Sequence, residues 1–450
     1  MKVAKFGGSS LASAEQIKKV CDIVLQDPER RLIVVSAPGK RSKEDIKVTD
    51  LLIRCAEAAL SGGPAEKELT AVVKRFEDIA YGLGLDGRIV KNIEDDLRKR
   101  LEGKTGHRGM FIDCLKAAGE DNCARLVAEY LKNCGINAYY VNPGDAGMLL
   151  SDEFGNARVL PESYENLARL REKEGIMVFP GFFGYSRSGD VVTFPRGGSD
   201  ITGSILTAAV EAELYENFTD VDSVFSADPN IVSNPQPVKE LTYREMRELS
   251  YAGFSVLHED TLEPVYRKGI PVCIRNTNNP ASPGTLITTR RRTKNGPVVG
   301  IAGDSGFCSI YIGKYMMNRE IGFGRKVFQI LEEESLSFEH APSGIDNICV
   351  ILRERQMDGA TEEKVVRRLK DELNADDVSV EHDMALVMIV GEGMMHTVGI
   401  ASRATKALAD ARVNIAVINQ GASEVSIMFG FKAEDAVNAI RALYNEFFGR

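Results

Sequence analysis

Two glycine pairs, each followed by a helix-like stretch, are where this sequence could do chemistry. The first is Lys5-Phe6-Gly7-Gly8-Ser9-Ser10, closing the strand-like run Lys2–Phe6. Glycine lets the backbone approach a ligand closely. A strand, a Gly-rich loop and a helix start aim N–H groups at an anion. Lys5 adds a point charge, the alternative being a plain turn with a solvated lysine. The second is Phe194-Pro195-Arg196-Gly197-Gly198-Ser199-Asp200, before the apolar run Ile201–Val210. Arg196 offers a bidentate fork for a carboxylate. Asp200 taken alone reads as a helix N-cap. Two such loops, each with a cation, suit a site that holds a polyphosphate from two sides. A third group is Asn217-Phe218-Thr219-Asp220-Val221-Asp222, with Phe225 beyond. It runs from a strand into a loop, a common place for ligand contacts in open α/β sheets. Paired aspartates alone are also ordinary turn formers.

Other literal matches carry no weight. Gly82-Leu83-Gly84-Leu85-Asp86-Gly87 spells GxGxxG but follows a helix-like stretch, not a strand. Asn217-Phe218-Thr219 spells a glycosylation acceptor in a chain whose start shows no signal peptide. No GxxxxGK[ST] loop is present. The cysteines (Cys21, Cys55, Cys114, Cys123, Cys134, Cys273, Cys308, Cys349) form no CxxC pair. They read as reduced thiols of a cytoplasmic protein. The sequence has 5 His and no HExxH, so no His-built metal site is expected and no metal ligands are assigned.

The elements that must position these residues follow from composition and periodicity. A chain of 450 residues amounts to about three domains. Hydrophobic residues are 44% and charged residues 27%, an ordinary globular mix. The net charge of -9 argues against a general nucleic-acid or anionic-membrane binder. No apolar run approaches the roughly 18 residues of a membrane span. In the first half, strand-like runs (Lys2–Phe6, Leu32–Val35, Gly175–Gly181) alternate with helix-like stretches. The first helix carries Ile17, Val20, Cys21, Val24 and Leu25 on one face, with Ser13 and Gln16 at capping-box spacing. Continuous apolar strands between helices imply a mainly parallel sheet in an α/β sandwich. The charged stretch from about Lys40 to Arg108 reads as helices covering it. A turn-rich, basic run from Asn276 to Gly296 reads as a linker.

Beyond the linker lies an internal repeat. Gly322, Phe323, Val327, Leu331, Leu336 and Phe338 align with Gly399, Ile400, Ala404, Leu408, Val413 and Ile415, a shift of 77 positions. Each copy reads strand, helix, strand, strand, helix. The first copy adds a strand near Val378–Val380. The second has none left, and Pro297–Ile301 could supply it from a distance.

In combination and order, these stretches resemble the aspartate kinases along essentially the whole chain. The signatures are Lys5–Ser10, Val34-Val35-Ser36-Ala37, Gly119-Glu120, Gly181-Phe182, Arg196–Asp200, Thr219–Asp222 and Val256-Leu257-His258. The resemblance implies an amino-acid-kinase domain over residues 1–290. Two ferredoxin-like ACT domains follow, over 297–382 and 383–450. The implied reaction is ATP-dependent phosphorylation of L-aspartate to 4-phospho-L-aspartate, with Mg²⁺ accompanying ATP. This is the first step toward lysine, threonine and methionine.

The resemblance also assigns roles. Lys5 and Asp200 are catalytic. Ser36, Thr49, Glu120, Phe182, Arg196 and Ser199 line the aspartate pocket, with Arg196 on the α-carboxylate and Glu120 facing the α-ammonium. Lys5, Gly7, Gly8, Ser9, Thr219, Asp220, Phe225 and Ser255 lie at the nucleotide. Met317, Glu320, Gly322, Phe323, Gly324, Ser337, Phe338, Glu339, Ser343 and Asp346 form an effector site. L-lysine is the expected effector and threonine the alternative. The expected assembly is a homodimer through the ACT domains, with a tetramer as an extension. No homoserine dehydrogenase module follows Arg450, so a monofunctional kinase is expected. The Gly393–Thr397 stretch of the second copy is expected to face a partner.

The chain departs from the family at three positions. Ser255 stands where many members have Lys, Asn230 where many have Arg, and Phe225 where many have Tyr. Arg275 and Lys268 are nearby cations that could replace the two lost. The basic loop from Ser36 to Thr49 reads as solvated, a lid being the alternative. Two other functions stay open: a kinase of a related acid such as N-acetylglutamate, and a catalytically weak amino-acid sensor. Glu120 argues against the first, since an acetylated amine has no charge to offer it. Retention of Lys5, Arg196 and Asp200 argues against the second.

Overall fold

The computed structural model describes residues 1–103, 106–254, 256–257, 259–292 and 296–449. The chain divides into two compact units. One takes residues 1–224, 237–246 and 255–293; the other takes 225–236, 247–254 and 294–450.

The first unit is built on an eight-stranded sheet. Its spatial order is Ala138–Tyr140, Ile176–Pro180, Arg30–Val35, Lys2–Phe6, Leu214–Thr219, Val272–Asn276, Thr285–Thr288 and Glu240–Thr242. The first six strands run parallel to one another, and Thr285–Thr288 is antiparallel to the sixth. Leu32, Ile33, Val34 and Val35 are each 0% exposed, which explains their unbroken apolar run: both faces of the strand are covered. Successive side chains point to opposite faces. Ala4 and Phe6 enter a core with Ile17, Leu52, Phe76 and Leu126. Lys5 points the other way, toward the Gly198–Ala209 helix.

Register brings the strand ends level. Phe6 pairs with Val35 on one side and Phe218 on the other, and Val35 pairs with Pro180. The glycine-rich loop, Ser36-Ala37, Gly181-Phe182 and Asp220 therefore all leave the carboxyl ends of neighbouring strands. Lys2–Phe6 is also where the strand order reverses, with the next strand on one side and a much later strand on the other. Ligands of open α/β sheets bind at such a switch point.

The helices start and stop for local reasons. Ser13 Oγ accepts from Gln16 N at 3.4 Å, but the Gln16 side chain donates to Asn278 at 3.1 Å. Only half of the expected capping box forms. The charged stretch becomes Val48–Leu60, Glu66–Gly82 and Arg88–Leu101. The expected linker needs a correction. Thr285–Thr288 inside it is a strand of the main sheet, pairing with both Val272–Asn276 and Glu240–Thr242. Thr285 and Ile287 are buried while Leu286 faces out. A four-residue alternation was hidden between strong turn signals.

The second unit carries an antiparallel sheet in the order Phe338–His340, Asn347–Arg353, Gly300–Gly313, Asp377–Val390, Ser426–Lys432, Val417–Asn419. The repeat is real in three dimensions. Phe323–Glu333 and Ile400–Asp410 are equivalent helices. Gly322 and Gly399, at their N-caps, have φ of 82° and 92°, a left-handed conformation open to glycine at no steric cost. The copies share two long strands. Ser309–Gly313 pairs with Asp377–Glu381 in the first copy's sheet, and Gly300–Ser305 pairs with Ala385–Val390 in the second's. Separate cores form under each: Val327, Leu331, Val350 and Leu369 in one, Ala404, Leu408, Ile427 and Leu443 in the other. No helix among the described residues is long and apolar enough to cross a membrane.

Candidate functional site

The first unit gathers most of the expected residues around the end of the Lys2–Phe6 strand. Gly7 N donates to Phe218 O at 3.1 Å, and Gly8–Leu11 forms one tight helical turn. Gly39 N donates to Gly8 O at 2.8 Å. A Cβ on Gly39 would lie 2.6 Å from the Gly8 carbonyl carbon. The two loops pack backbone to backbone, so Gly39 belongs to the site and was missed. Its signal was the Pro38-Gly39 pair directly after the signature Val34–Ala37.

Lys5, Asp200 and Asn217 form the centre. Lys5 is 7% exposed and its ammonium is ion-paired to Asp200. Asn217 Nδ2 donates to the same Asp200 oxygen at 2.7 Å, and Lys5 Nζ reaches Asn217 Oδ1 at 3.5 Å. Lys5 and Asn217 are register partners on adjacent strands, which places their side chains on one face. Asn217 was not assigned a role from sequence. Asp200 is not an N-cap: Gly197 holds that position with φ of 82°. The Asp200 carboxylate turns to Lys5 and Asn217 instead. That choice is physical, because a buried ammonium without a counter-ion is costly.

Beside this centre the Gly181-Phe182 turn packs against the start of the Gly198–Ala209 helix. Gly181 N donates to Val35 O at 2.9 Å, and a Cβ there would meet Ser199 Cβ at 2.6 Å. Phe182 takes a left-handed backbone with φ of 76°, held by donation from its N–H to Thr202 Oγ1 at 3.0 Å. Ser199 is buried, whereas Ser36 and Thr49 are half-buried. Arg196 is exposed, and among the described residues no carboxylate pairs with it. Its guanidinium is available to a ligand.

Glu120 is the outlier among the expected pocket residues. It sits inside the Arg108–Asn133 helix and is 5% exposed. Its Oε2 has no hydrogen-bond partner. Burial pushes its carboxyl up to about 8, against the pull of the Ala37 backbone N–H and the Lys116 charge. A buried carboxylate oxygen with nothing to accept from is unfavourable unless a donor arrives. Gly119, one residue earlier, lets this helix lie against Ala37, 2.8 Å from a Cβ placed there.

The nucleotide side is less complete. Thr219 Oγ1 donates to Asp220 Oδ1 at 3.2 Å, and Asp220 is exposed. Phe225 is counted with the second unit. Ser255 and His258 lie outside the described residues. The two cations considered as replacements are engaged elsewhere. Arg275 Nη1 donates to buried Glu216 at 2.9 Å and Nη2 to Pro280 O at 2.9 Å. Lys268 pairs with Glu211 at 3.0 Å. The basic side chains of the loop, Lys40, Arg41, Lys43 and Lys47, are exposed as expected, while its backbone is tied down from a neighbouring helix. Arg75, 4% exposed, donates to Gly39 O at 2.8 Å and Ile46 O at 3.1 Å, and holds Asp45 at 2.7 Å. Its neighbours Arg41 and Arg75 hold the Asp45 carboxyl down, to about 2, although desolvation opposes them.

In the second unit, two expected effector loops are joined. Lys314 N donates to Asp346 O at 2.8 Å, Asn318 N to Ile345 O at 3.2 Å, and Met316 N to Asp346 Oδ1 at 2.9 Å. Met317 and Phe323 are buried beneath them. Gly322 and Gly324 have open space where a Cβ would stand. Glu320 is already neutralised, by Lys314 at 2.5 Å and Lys326 at 2.7 Å. Glu339 accepts from Arg353 Nε at 3.2 Å and from the Tyr251 hydroxyl. Phe338 stacks on Phe328 with centroids 4.7 Å apart. Ser337 N donates to Gln356 at 2.9 Å, and Ser343 bridges to Ile348. Ion pairing that local could not be read from the order of residues.

Known proteins share this chain's sequence and fold. The Amino acid kinase family model matches residues 1–276, and an ACT domain model matches 387–447. Aspartokinase 3 of Bacillus subtilis is 59% identical over 448 residues, covering 100% of this chain and 99% of that one. The aspartate kinase of Clostridium acetobutylicum superposes with a TM-score of 0.87 at 39% identity, over 99% of this chain and 100% of that one. Aspartokinase III of E. coli superposes with a TM-score of 0.81 at 26% identity in its R-state complex with aspartate and ADP, over 100% of both chains. Its T-state complex with lysine and aspartate gives 0.75 at 26% identity, over 100% of this chain and 99% of that one. Full-length agreement in sequence and fold, around a paired Lys5–Asp200 and an unsatisfied Glu120, leaves one conclusion: the chain belongs to the aspartate kinases of the amino acid kinase family.

Proposed function

We propose that Glu120 and Arg196 read the two charges of the substrate's amino-acid end while Lys5 and the Gly7–Ser9 backbone hold the transferring phosphate. The unpartnered Glu120 Oε2 carries this reading, because an α-ammonium is the donor it lacks. Arg196, which among the described residues pairs with no carboxylate, takes the α-carboxylate. Ser36, Thr49, Phe182 and Ser199 fill the wall between them. Thr219 and Asp220, at the end of the neighbouring strand, serve the nucleotide. One β-carboxylate oxygen then forms a bond to the γ-phosphorus of ATP as the bond from phosphorus to the ADP oxygen breaks. No general base is needed, since a β-carboxylate with a pKa of about 3.9 is already ionised at neutral pH. Positioning and charge neutralisation do the rest.

The donor set fits Mg²⁺ arriving on the phosphates of ATP. That ion commonly takes only one or two protein carboxylates, and Asp200, whose second oxygen is not held by Lys5 or Asn217, would be one; when bound the ion would offset phosphate charge. Among the described residues no cluster of three His, Cys, Asp or Glu could hold a resident metal.

The effector reading is lysine, bound at the open N-terminus of the Phe323–Glu333 helix with its carboxylate on the N–H groups near Gly322. With Glu320 and Glu339 paired inside the chain, Asp346 is the carboxylate left for an effector ammonium. The E. coli relative crystallised with lysine supports this choice over threonine. The ACT copies of two subunits would complete the site in a homodimer. One experiment tests both levels: ADP release is measured with aspartate against a panel of acids including N-acetylglutamate, with lysine and threonine titrated separately and together. Aspartate is expected to be preferred, and lysine to inhibit at millimolar concentration in a manner weakened by Asp346→Asn. Preference for an N-acylated acid would overturn the pocket assignment. Inhibition by threonine alone would overturn the effector assignment.

A further inference from the structure

One cation near the pocket has no place in the reading above. Lys116 lies one helical turn before Glu120, on the same face of the Arg108–Asn133 helix. Its side chain is 15% exposed. Nζ stands 3.3 Å from Asp113 Oδ1 and 3.1 Å from Thr193 Oγ1. It also sits 5.3 Å from the ring centroid of Phe182. The ammonium thus touches one pocket-wall residue and projects its field on another. Neutralising Asp113 does not account for the whole arrangement. Asp113 Oδ2 already accepts from Gly155 N at 2.7 Å and Thr193 N at 2.8 Å.

We propose that Lys116 is a positioning residue of the aspartate pocket, acting on the substrate's ammonium end through Glu120 and on the pocket wall through Phe182. The inference rests on the assignment of Glu120 to that ammonium. Lys116, four residues before Glu120 on the same helix face, is a positive charge that favours the Glu120 carboxylate. The loop after Val35 contributes only the Ala37 N–H, and the neighbouring thiol on the same helix, Cys123, is itself neutral, its pKa raised by burial and by Glu120. The helix facing Gly119 presents Val48 and Leu52, which are apolar. A buried carboxyl in such surroundings favours its neutral form, and a neutral acid is a poor partner for an ammonium. Lys116 opposes that tendency without occupying the space the substrate needs. Its cation–π contact holds the Phe182 ring, on a left-handed residue that already spends backbone strain to face the pocket.

The test is the pH profile of kcat/KM for aspartate in the full-length enzyme. The wild type is expected to show activity rising with pH along a limb set by Glu120. Lys116→Gln keeps donors for Asp113 and Thr193 but removes the charge. It should move that limb to higher pH by about one unit, as loss of a nearby opposite charge does, and raise the aspartate KM at neutral pH. Lys116→Arg should restore the limb. Asp113→Asn, which removes the competing anion, should move it to lower pH, and this second variant decides the matter if Lys116→Gln does not fold. Glu120→Gln should abolish the limb. A limb unmoved in Lys116→Gln and Asp113→Asn, yet lost in Glu120→Gln, would overturn the role of Lys116 alone. A limb that persists in Glu120→Gln would overturn the assignment of Glu120 itself.

Discussion

Lys5→Ala is expected to lower kcat by at least about a hundredfold, the usual cost of deleting one preorganised electrostatic stabiliser. Asp200→Ala should fall as far. The two side chains form one buried pair, with Asn217 completing it. Removing Lys5 strips positive charge from the place where the phosphoryl group gathers negative charge. Removing Asp200 leaves the ammonium where it was in sequence but frees its direction. Because each acts through the other, the double variant should lose little more than either single one, as units of this kind do. Asn217→Ala should cost less, since it orients Asp200 without carrying charge. Steady-state ADP release at saturating aspartate and ATP measures all four, with circular dichroism confirming the fold. Near-normal kcat in either charged variant would show that the pair is structural.

Much of this centre was legible before any coordinates, and the reasons are local. A cation at a strand end before Gly-Gly suits an anion but also a plain turn with a solvated lysine, and a parallel sheet puts such strand ends at one edge. Lys2–Phe6 and Leu32–Val35 announced themselves by unbroken apolar character, because both their faces are covered. The 77-residue repeat was readable because glycine is demanded at both Gly322 and Gly399, where φ is 82° and 92°. What escaped was side-chain choice among equivalent partners. Asp200 could have capped its own helix; only the buried ammonium of Lys5 decides otherwise. Arg275 and Lys268 could have served phosphates, but Glu216 and Glu211 take them. Glu320 could have met an effector, but Lys314 and Lys326 lie nearer. Thr285–Thr288 was masked by turn residues on either side. For Asp200, Arg275 and Lys268 the deciding contact joins positions far apart in the chain, and for Glu320 it is one choice among several nearby cations.

Arg196→Ala should weaken aspartate binding by about 2–5 kcal/mol, the range for losing one side of a desolvated charge pair. That is a rise in the aspartate KM of roughly 30-fold to several thousand-fold at 1.4 kcal/mol per factor of ten. The ATP KM should move little, since the guanidinium lies on the amino-acid side. Arg196 is exposed and, among the described residues, pairs with no carboxylate, which leaves its fork open to the α-carboxylate in the proposed reading. Glu120→Gln attacks the opposite end of the same molecule. It removes the anion while keeping the volume, and should raise the aspartate KM with a smaller effect on kcat. The two losses should be distinguishable by substrate. Arg196→Ala should discriminate less against acids lacking an α-carboxylate, and Glu120→Gln less against acids with a blocked amine. Aspartate KM values unchanged in both variants, with kcat intact, would remove these two residues from the pocket and leave the Lys5–Asp200 centre as the surviving part of the site.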